Sequence, residues 1–480
     1  MSEKLDEKRY VGAKEIRMYG IANGGQVFGY NLVTSYLSFF FVTVFGIDPK
    51  IVSIMFVAVG IWDTLNDPLM GSIIDKTRTR FGKLRPYLLF VPIPLGIAIC
   101  LLFSGPVIMQ DASMVWKTVF MVVSYVVWEF FYTIGDVPFW GMSAAISPSP
   151  ADRTRAISSA RFTSAIIGVF ATMGMSILID LSNNNVIPLS LGQVFMIMGI
   201  IAGVGGMALF SLAGLKTKER VVQSIKEPSL VDSFKYLIKN KPLLLIVYSN
   251  ALKTFSRVAS VFGNYYYISV LGFSSLSILA GLPGFVSGFL MYMFIPKLKK
   301  FGNNRQIFIA NQVLRAVIIS LAFFIGMNYY TNAYIIIPIM AIQSFFISAS
   351  DSVDMVIPTE MLGDTVDYME WKTGNRSEGM TFSVLTFVGK FTSSISTAIG
   401  VAILPLIGFV VQNGVVVKAG NTDFWLWAFF TIIPAVFGLL QIIPYFFYDL
   451  VGDKKKKIEE EMKIRREQIS KEVSAVKEEN

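Results

Sequence analysis

The chain has 480 residues, of which 54% are hydrophobic and only 16% are charged, a balance too apolar for a protein that stays in water. It contains no histidine and one cysteine, Cys100, which excludes histidine-based catalysis, a cysteine metal site and a disulfide framework. The net charge of +9 comes from basic residues between apolar blocks and in a C-terminal tail, so no nucleic-acid partner is expected. The composition therefore predicts an integral protein of the lipid bilayer.

Twelve apolar stretches are long enough to cross about 30 Å of hydrocarbon at about 1.5 Å per residue. They lie at 17–46, 51–75, 86–105, 116–147, 157–182, 192–215, 242–272, 275–297, 306–327, 333–362, 378–411 and 423–448. Residues 1–16 are charged and have no apolar core of their own, so no cleavable signal peptide is expected.

Basic residues cluster in alternate loops between these stretches. The basic loops, after the second, fourth and eighth stretches, contain Lys76, Arg78, Arg80, Lys83, Arg85, Arg153, Arg155, Lys297, Lys299, Lys300 and Arg305. The opposite loops hold little beyond Lys50, Lys117 and Lys418. Because basic loops stay in the cytoplasm, we predict a multi-pass protein of the bacterial inner membrane with both termini cytoplasmic.

The longest break between stretches, 216–241, divides the chain into two sets of six helices. The pattern basic-Phe-Gly-x-x-Arg follows both the second and the eighth stretch, as RFGKLR at 80–85 and KFGNNR at 300–305. We predict an all-α integral membrane fold with twelve transmembrane helices in two homologous six-helix bundles. The predicted segments are an N-terminus at 1–16, a first bundle at 17–215, a central loop at 216–241, a second bundle at 242–448 and a charged cytoplasmic tail at 449–480.

The second stretch contains IWDTLNDPLMG, in which two acids and an amide share one helix face. Asp63, Asn66 and Asp67 stand at i, i+3 and i+4 near the bilayer centre. A charge there costs about 2.5 kcal/mol or more on an isolated helix, so buried acids are usually paired, hydrated or functional. Two neighbouring carboxylates favour binding of a proton or a small cation. Alternatively, Asp67 caps the helix or pairs with the basic loop.

The fourth stretch reads WEFFYTIGDVPFWG, which places polar and aromatic side chains on one helical stripe. Its members are Glu129, Tyr132, Thr133, Asp136 and Trp140. A carboxylate accepts hydrogen bonds from sugar hydroxyls, and an indole packs on the apolar face of a pyranose, so the stripe predicts a sugar-binding surface. Two alternatives stay open: Glu129 pairs helices, and Trp140 belongs to the aromatic belt at the membrane interface.

Basic residues inside the later stretches need an acidic partner or a ligand. Lys390 is the sole charge within TFSVLTFVGKFTSS, and the acids of the second and fourth stretches are its predicted partners. Lys253 and Arg257 stand at i and i+4 in the seventh stretch and form a basic face. Alternatively, that face reaches the membrane surface or pairs with Asp351 or Asp354.

These motifs resemble those of the glycoside-pentoside-hexuronide:cation symporters of the major facilitator superfamily, whose best-known member is the melibiose permease. The most specific segments are WDTLNDPLMGSIIDKTRTRFGKLRP, YTIGDVPFW and GDTVDYMEWKTGNRSEG followed by the lysine of FVGK, and the match spans essentially the whole chain. The resemblance implies the major facilitator fold and symport of a glycoside, pentoside or hexuronide with a cation, and no enzymatic activity.

The resemblance also implies which residues bind each ligand. For the cation it implies Asp63, Asn66, Asp67, Thr133 and Asp136, with Asp63, Asp67 and Asp136 as the metal ligands if the cation is sodium. For the sugar it implies Tyr132, Asp136, Trp140, Arg161, Thr386 and Lys390. No cofactor is expected beyond the coupling cation, for which sodium is preferred to a proton or lithium because the site is rich in oxygen donors.

The first stretch, YGIANGGQVFG, departs from the family pattern. It has Gln26 and Val27 where the melibiose permease has a Lys-Asp pair, and the missing acid accepts a galactoside hydroxyl in that relative. An α-galactoside is therefore the least favoured substrate. Two substrate classes stay open. One is a neutral pentoside or glucoside, with a hydroxyl that hydrogen-bonds to Gln26, and the other is a uronide, whose carboxylate binds basic side chains such as Arg161 and Lys390.

The loop after the second stretch resembles a cytoplasmic latch of the superfamily. Asp75 and Arg80 are expected to pair with neighbouring helix ends in the outward-open state, so neutralising either slows turnover and spares sugar affinity. Two other functional classes compete with transport. A membrane sugar sensor binds without moving its ligand, and a membrane-embedded glycosyltransferase needs a catalytic motif in a large loop, which the sequence lacks.

Overall fold

The computed structural model describes residues 9–221, 235, 238–373, 378–412, 415–458, 460–462 and 464. Within these ranges the side chains at 65, 67, 68, 71, 72, 75, 150, 373, 378–380, 382, 383 and 415 lie outside the description. The side chains of Asp67 and Asp75, both predicted to be functional, are therefore outside the described residues.

All twelve predicted stretches form helices, and nine helices of the described chain are long and apolar enough to cross a membrane. The other three are α2, which carries the acidic motif, and α3 and α7, which are each divided by a turn. The twelve helices are α1 (Ala13–Val44), α2 (Pro49–Lys76), α3 (Arg85–Phe90 and Pro92–Ile108), α4 (Met114–Ala145), α5 (Pro150–Asn183), α6 (Leu191–Lys216), α7 (Lys241–Phe255, Val258–Tyr265 and Tyr266–Val270), α8 (Leu276–Leu298), α9 (Asn304–Gly326), α10 (Ala333–Thr373), α11 (Glu378–Ile403 and Leu404–Ile407) and α12 (Thr422–Leu440 and Ile443–Phe446).

Two predicted helix ends are wrong. Hydropathy ends the tenth stretch at 362, but α10 continues to Thr373 because the polar segment GDTVDYMEWKT contains no proline to stop it. The eleventh stretch is predicted to continue to 411, but α11 ends at Ile407 and Gly408 follows with a positive φ of 87°. Apolar content alone therefore misplaces a helix end where a charged helix continues or a strand begins.

A short hairpin follows α11. Strand β1 (Phe409–Gln412) pairs antiparallel with β2 (Val415–Lys418), and Phe409 lies opposite Lys418. Both strands are rich in valine, whose branched side chain favours extended backbone over helix. Outside this hairpin, the regular structure of the described residues is helical except for a single bridge between Thr79 and Gly82.

Glycines bring the backbones of the first bundle's helices into contact. A Cβ placed on Gly25 of α1 would lie 2.3 Å from the Gly206 carbonyl oxygen of α6, and one on Gly96 of α3 would lie 2.3 Å from the Gly203 carbonyl oxygen. Small residues allow such close packing of membrane helices, where dispersion contacts replace the hydrophobic effect. The glycines of YGIANGGQVFG are thus a packing surface of α1.

The first helix of each half ends in the same way. Residues Phe40–Val44 and Tyr266–Val270 are π-helical turns, and each precedes a glycine with positive φ, Gly46 at 73° and Gly272 at 80°. The N–H groups of residues 45 and 271 donate to the carbonyls of Phe40 and Tyr266, at 2.8 and 3.2 Å. The underlying sequences, FFVTVFG and YYISVLG, form an internal repeat that the loop pattern alone does not reveal.

The repeated loop pattern performs the same structural task in both halves. The Arg85 guanidinium donates two hydrogen bonds to the Gly214 carbonyl at the end of α6, at 3.2 and 3.1 Å. The Arg305 guanidinium donates to the Tyr448 carbonyl just beyond α12, at 3.2 Å. This equivalence agrees with two homologous six-helix sets.

The described residues group into two compact units. Unit 1 is formed within Met1–Lys226, Gly263–Leu276 and Thr397–Leu426, and unit 2 within Glu227–Phe262, Ser277–Ser396 and Trp427–Asn480. Unit 1 therefore contains the first six helices with the last residues of α7, the end of α11 and the hairpin. The predicted boundaries at 215 and 242 remain predictions.

Part of the charged tail packs on α10 within unit 2. Lys455 forms an ion pair with Asp364 at 2.5 Å, and the Trp371 indole donates to Glu461 at 2.5 Å. Ile458 and Met462 are buried in a cluster with apolar residues of α10. The polar extension of α10 is thus covered by the first residues of the tail.

Candidate functional site

The polar stripe of α4 is mostly withdrawn from the surface of unit 1. Glu129 and Thr133 are buried, and Tyr132, Asp136 and Trp140 are partly buried. The helix is long: Ser113 precedes it in extended conformation without a side-chain cap, and Pro138 lies within it without ending it. Buried polar groups of a membrane helix need partners or ligands, so each contact of the stripe is informative.

Asp136 is the centre of the stripe. Its Oδ1 accepts a hydrogen bond from Gln26 Nε2 of α1 at 3.0 Å and another from the Tyr132 hydroxyl at 3.4 Å. The Gln26 Oε1 atom is buried and has no hydrogen-bond partner among the described residues. The structure thus brings together three residues predicted to bind sugar, including the glutamine at which this sequence departs from the family pattern.

A row of aromatic rings continues from Tyr132 along α4. The Tyr30 and Tyr132 rings stack at 5.1 Å, Tyr132 and Trp128 at 5.3 Å, and Trp128 and Tyr125 at 5.7 Å. The buried Trp128 Nε1 has no hydrogen-bond partner in the described part of the chain. Sequence reasoning missed Tyr30, Tyr125 and Trp128, although extending the α4 stripe one turn before Glu129 reaches two of them.

Trp140 and Arg161 form the second contact between predicted sugar-site residues. The Arg161 guanidinium lies over the Trp140 ring at 4.2 Å, a cation–π contact between α4 and α5. This contact gives Trp140 a charged neighbour, and its role as a lining residue stays a prediction. Nearby on α1, the Asn23 amide donates to the Ala160 carbonyl at 3.2 Å and to the Ser164 hydroxyl, which fixes α1 against α5.

The acidic motif of α2 is described in part. Asp63 is partly buried, and Asn66 is 2% exposed with an Nδ2 atom that has no hydrogen-bond partner among the described residues. Among the described side chains no three acids are close enough to hold a metal ion, and Asp67 lies outside them. The predicted metal-ligand set of Asp63, Asp67 and Asp136 therefore stays a prediction.

In unit 2, Lys253 pairs with an acid of the same unit, in agreement with the pairing alternative. Its Nζ is 3.6 Å from Asp354 Oδ2, and the Asp354 side chain is fully buried. Arg315 lies 3.8 Å from the same oxygen and bonds Asp351, while Asn311 donates to Asp354 Oδ1 at 3.0 Å. Two acids and two bases thus form a neutral cluster, beside a cavity of about 180 Å³ that Lys253 and Asp354 line.

Thr386 and Lys390 lie one helical turn apart on α11, also in unit 2. Thr386 is exposed and Lys390 is partly buried. Arg257 of α7 donates to the Ser393 hydroxyl at 2.8 Å, so α7 and α11 are in contact near this position. The predicted pairing of Lys390 with acids of the first half stays a prediction.

The loop after α2 is held by an acid that sequence reasoning missed. The Glu219 carboxylate accepts hydrogen bonds from the backbone N–H groups of Lys83, Leu84 and Arg85, at 2.8 to 2.9 Å. Arg80, predicted to act in gating, is exposed, and its guanidinium lies 4.8 Å over the Phe81 ring. Glu219 follows α6 in the segment KTKER, where an acid among bases is the available sequence signal.

The neighbouring Arg220 is held in the same region. Its guanidinium donates to both carboxylate oxygens of Glu15, each at 2.8 Å, and these bonds raise the pKa of Arg220 above its ordinary value. The N-terminal end of α1 and the segment after α6 are therefore fixed to each other.

A protein-family model described as MFS/sugar transport protein matches residues 18–452. The chain belongs to this family. Among similar curated proteins, an inner membrane symporter of Escherichia coli, YicJ, is 29% identical over 472 residues, covering 96% of each chain. A glucuronide carrier protein homolog of E. coli is 26% identical, covering 95% of this chain and 96% of its own. An isoprimeverose transporter of Lactiplantibacillus pentosus is 26% identical, covering 92% and 89%.

Solved structures agree on the fold. A nucleoside transporter, NupG, superposes with a TM-score of 0.62 at 16% sequence identity, covering 90% of this chain and 99% of that one. The predicted major facilitator fold is therefore confirmed. The matched relatives and neighbours are transporters, which agrees with the prediction that the chain is not an enzyme.

Proposed function

We propose that the chain carries a sugar into the cell together with a monovalent cation, by alternating access. The observation that carries the proposal is the partly buried contact of Gln26, Tyr132 and Asp136, in a chain of a sugar transport family. Asp136 belongs both to the predicted cation ligands and to the predicted sugar ligands, so one carboxylate contacts both the cation and the sugar. Cation binding neutralises the acids, prepares the sugar site and permits one bundle to rock against the other.

Sodium is the proposed coupling ion, with a proton and lithium as alternatives. The proposed ligands are Asp63, Asn66, Asp67, Thr133 and Asp136, whose oxygen atoms suit a hard cation. The buried Asn66 amide has no partner at its nitrogen among the described residues, and rotation of that amide presents its oxygen instead. The proposal includes both termini in the cytoplasm and the gating roles of Asp75 and Arg80.

A neutral pentoside or glucoside is the proposed substrate class. Gln26 donates to Asp136 through its amide nitrogen and has a buried amide oxygen that can accept a sugar hydroxyl, and Asp354 balances the charge of Lys253. One relative is named an isoprimeverose transporter. A uronide is the second candidate, because Arg161 lies on Trp140 and another relative is named a glucuronide carrier homolog.

Competition for uptake into proteoliposomes tests the substrate class. We expect a β-xyloside to compete best, a glucuronide more weakly and melibiose least, under separate sodium and proton gradients. Strongest competition by melibiose contradicts the interpretation of Gln26 and Val27. Counterflow of labelled against unlabelled sugar is expected as well, and its absence would favour a sugar sensor.

Substitution of the α2 acid tests the cation site. We expect Asp63→Asn to abolish gradient-driven accumulation, because an oxygen ligand loses its charge, while sugar counterflow continues. The matched control is Asp423→Asn, which removes an exposed acid that pairs with Lys418 at 2.7 Å. Accumulation at the wild-type level in Asp63→Asn contradicts the assignment of Asp63 to the cation site. Sugar-driven proton uptake that is unaffected by sodium contradicts the choice of sodium as the coupling ion.

A further inference from the structure

A carboxylate of α5 holds the segment that leads into α8. Asp180 lies in the last turn of α5 and is 8% exposed. Its Oδ1 accepts a hydrogen bond from the Ser274 backbone N–H at 2.5 Å, and its Oδ2 accepts one from the Ser275 N–H at 2.8 Å. These are the two residues directly before α8, and all three belong to unit 1. We name this contact the outer clamp.

The outer clamp places a carboxylate at the start of α8, where the first half has one of its own, although it bonds the N–H groups of the two residues before the helix. The first N–H groups of a helix lack internal partners and carry partial positive charge, so a carboxylate there is stabilising. At the start of α2, Asp48 supplies it by accepting the Lys50 N–H at 2.7 Å. In the internal repeat, FFVTVFGID aligns with YYISVLGFS, and Ser274 stands where Asp48 stands. The carboxylate that α8 lacks in its own segment comes from α5.

Further contacts hold the same segment against α1 in unit 1. The Tyr265 hydroxyl donates to the Ser38 carbonyl at 3.1 Å, and the Asn264 amide donates to the Ser35 carbonyl. The accepting carbonyls lie within a helix, where each already accepts a backbone hydrogen bond, so the contacts separate without disrupting α1. The segment 263–276 is therefore attached by polar contacts that water can replace, together with packing of the buried Tyr265 ring on Phe39 and Phe409, at 5.7 and 4.9 Å.

We propose that the outer clamp is a gate of the transport cycle, closed while the inner side is open and released when the outer side opens. This proposal rests on the proposed function. With the N-terminus in the cytoplasm, the end of α5 and the start of α8 both face the outside. Opening there separates segment 263–276 from α1 and α5, so the Asp180 carboxylate and the two N–H groups pass to water.

The clamp sets how often the outer side opens. Its two charge-assisted hydrogen bonds exist only in the closed arrangement, so they favour that arrangement over the open one. Removing them is expected to shift the equilibrium about tenfold towards the outward-open form, which corresponds to about 1.4 kcal/mol. Loss of the α2 cap has no such effect, since Asp48 and Lys50 stay adjacent in both arrangements.

Alkylation of a buried position tests this gate. Ser274→Cys, made with Cys100→Ser, keeps the backbone N–H and places a thiol at a site that is 4% exposed. In proteoliposomes treated outside with a membrane-impermeant maleimide, we expect Asp180→Ala to label about tenfold faster than its parent. Asp180→Asn, which keeps acceptor oxygen but loses the charge, is expected to fall between them. Asp48→Ala is the matched control and leaves the rate unchanged.

Unchanged labelling in both Asp180 variants overturns the gate, as does equal acceleration by Asp48→Ala. If Asp180→Ala does not fold, Asp180→Asn alone decides. Labelling requires no sugar, so it tests the gate independently of the proposed sugar transport. Absent counterflow with accelerated labelling removes the sugar carrier and leaves the clamp, whereas normal counterflow with unchanged labelling removes only the clamp.

Discussion

At the start of α2, the Asp48 carboxylate accepts from the N–H of Lys50, only 2 residues away in the chain. At the start of α8, the carboxylate is that of Asp180 on α5, 94 residues away from Ser274. The stretches before these helices share the same π-helical turn and the same glycine with positive φ. Equivalent backbones therefore use caps of different origin. A cap from within the segment moves with its helix, while a cap from another helix can be lost during a conformational change.

The acids inside the two halves differ as well. In the second half Asp354 is fully buried between Lys253 and Arg315 and accepts from Asn311. In the first half Asp136 accepts from the amide of Gln26 and the hydroxyl of Tyr132. The acid of the second half is thus compensated by two bases of its own unit, and the acid of the first half accepts hydrogen bonds from two residues of the candidate sugar site.

The largest expected effect is on stability in the second half. Asp354→Leu removes the buried acid of the cluster, which leaves Lys253 unpaired and Arg315 with Asp351 alone, and is expected to lower the free energy of unfolding by about 3 kcal/mol. The double variant Lys253→Leu/Asp354→Leu restores the charge balance and is expected to recover part of that loss. Thermal unfolding midpoints in detergent measure both. The exposed Asp423→Asn is the control and is expected to change the midpoint little; an equal loss in Asp423→Asn contradicts the prediction.

An intermediate effect is expected where the halves agree. Gly46→Ala and Gly272→Ala place a Cβ on left-handed backbone, so each is expected to lower the free energy of unfolding by about 1 kcal/mol. The two losses are expected to be equal because the backbones match. Gly281→Ala, within α8 and with open space around the added Cβ, is the control and is expected to be neutral or stabilising. A marked inequality between positions 46 and 272 would show that the repeated turns are not equivalent.

The smallest expected effect separates cap from gate. Adding Ser275→Asp, which lies directly before α8 as Asp48 lies directly before α2, to Asp180→Ala gives α8 a cap of its own and is expected to recover about 1 kcal/mol of stability. The unfolding midpoint measures the stability, and counterflow measures sugar exchange. Efflux of sugar into sugar-free buffer measures the complete transport cycle. Efflux is expected to stay as in Asp180→Ala, since the connection to α5 is still absent. Restoration of wild-type efflux indicates that helix capping alone controls opening.

Sequence reasoning was sufficient for the fold because hydropathy and basic loops report directly on the bilayer. All twelve stretches are helical, and the repeated Arg85 and Arg305 occupy equivalent positions. It failed at the ends of α10 and α11, where helix propensity and valine-rich strand formation, rather than hydropathy, decide the backbone.

The candidate site was predicted in composition more than in geometry. The i, i+3, i+4 spacing located Tyr132 and Asp136 on one face, yet the contact with Gln26 depends on how α1 packs against α4. Lys253 and Asp354 are about a hundred residues apart, so their pairing depends on tertiary structure, although it was one of two alternatives. Asp180 gave no local signal, because its partners are backbone N–H groups of a distant segment.

The paired π-helical turns at Phe40–Val44 and Tyr266–Val270 also bear on the history of the chain. A π-helical turn holds one residue more than the α-helical turn it replaces, as if a single residue had been inserted. Both turns lie in the same register before the same glycine. One insertion in a six-helix ancestor, followed by duplication and fusion of its gene, accounts for both turns, and the difference between Asp48 and Ser274 then arose after the duplication.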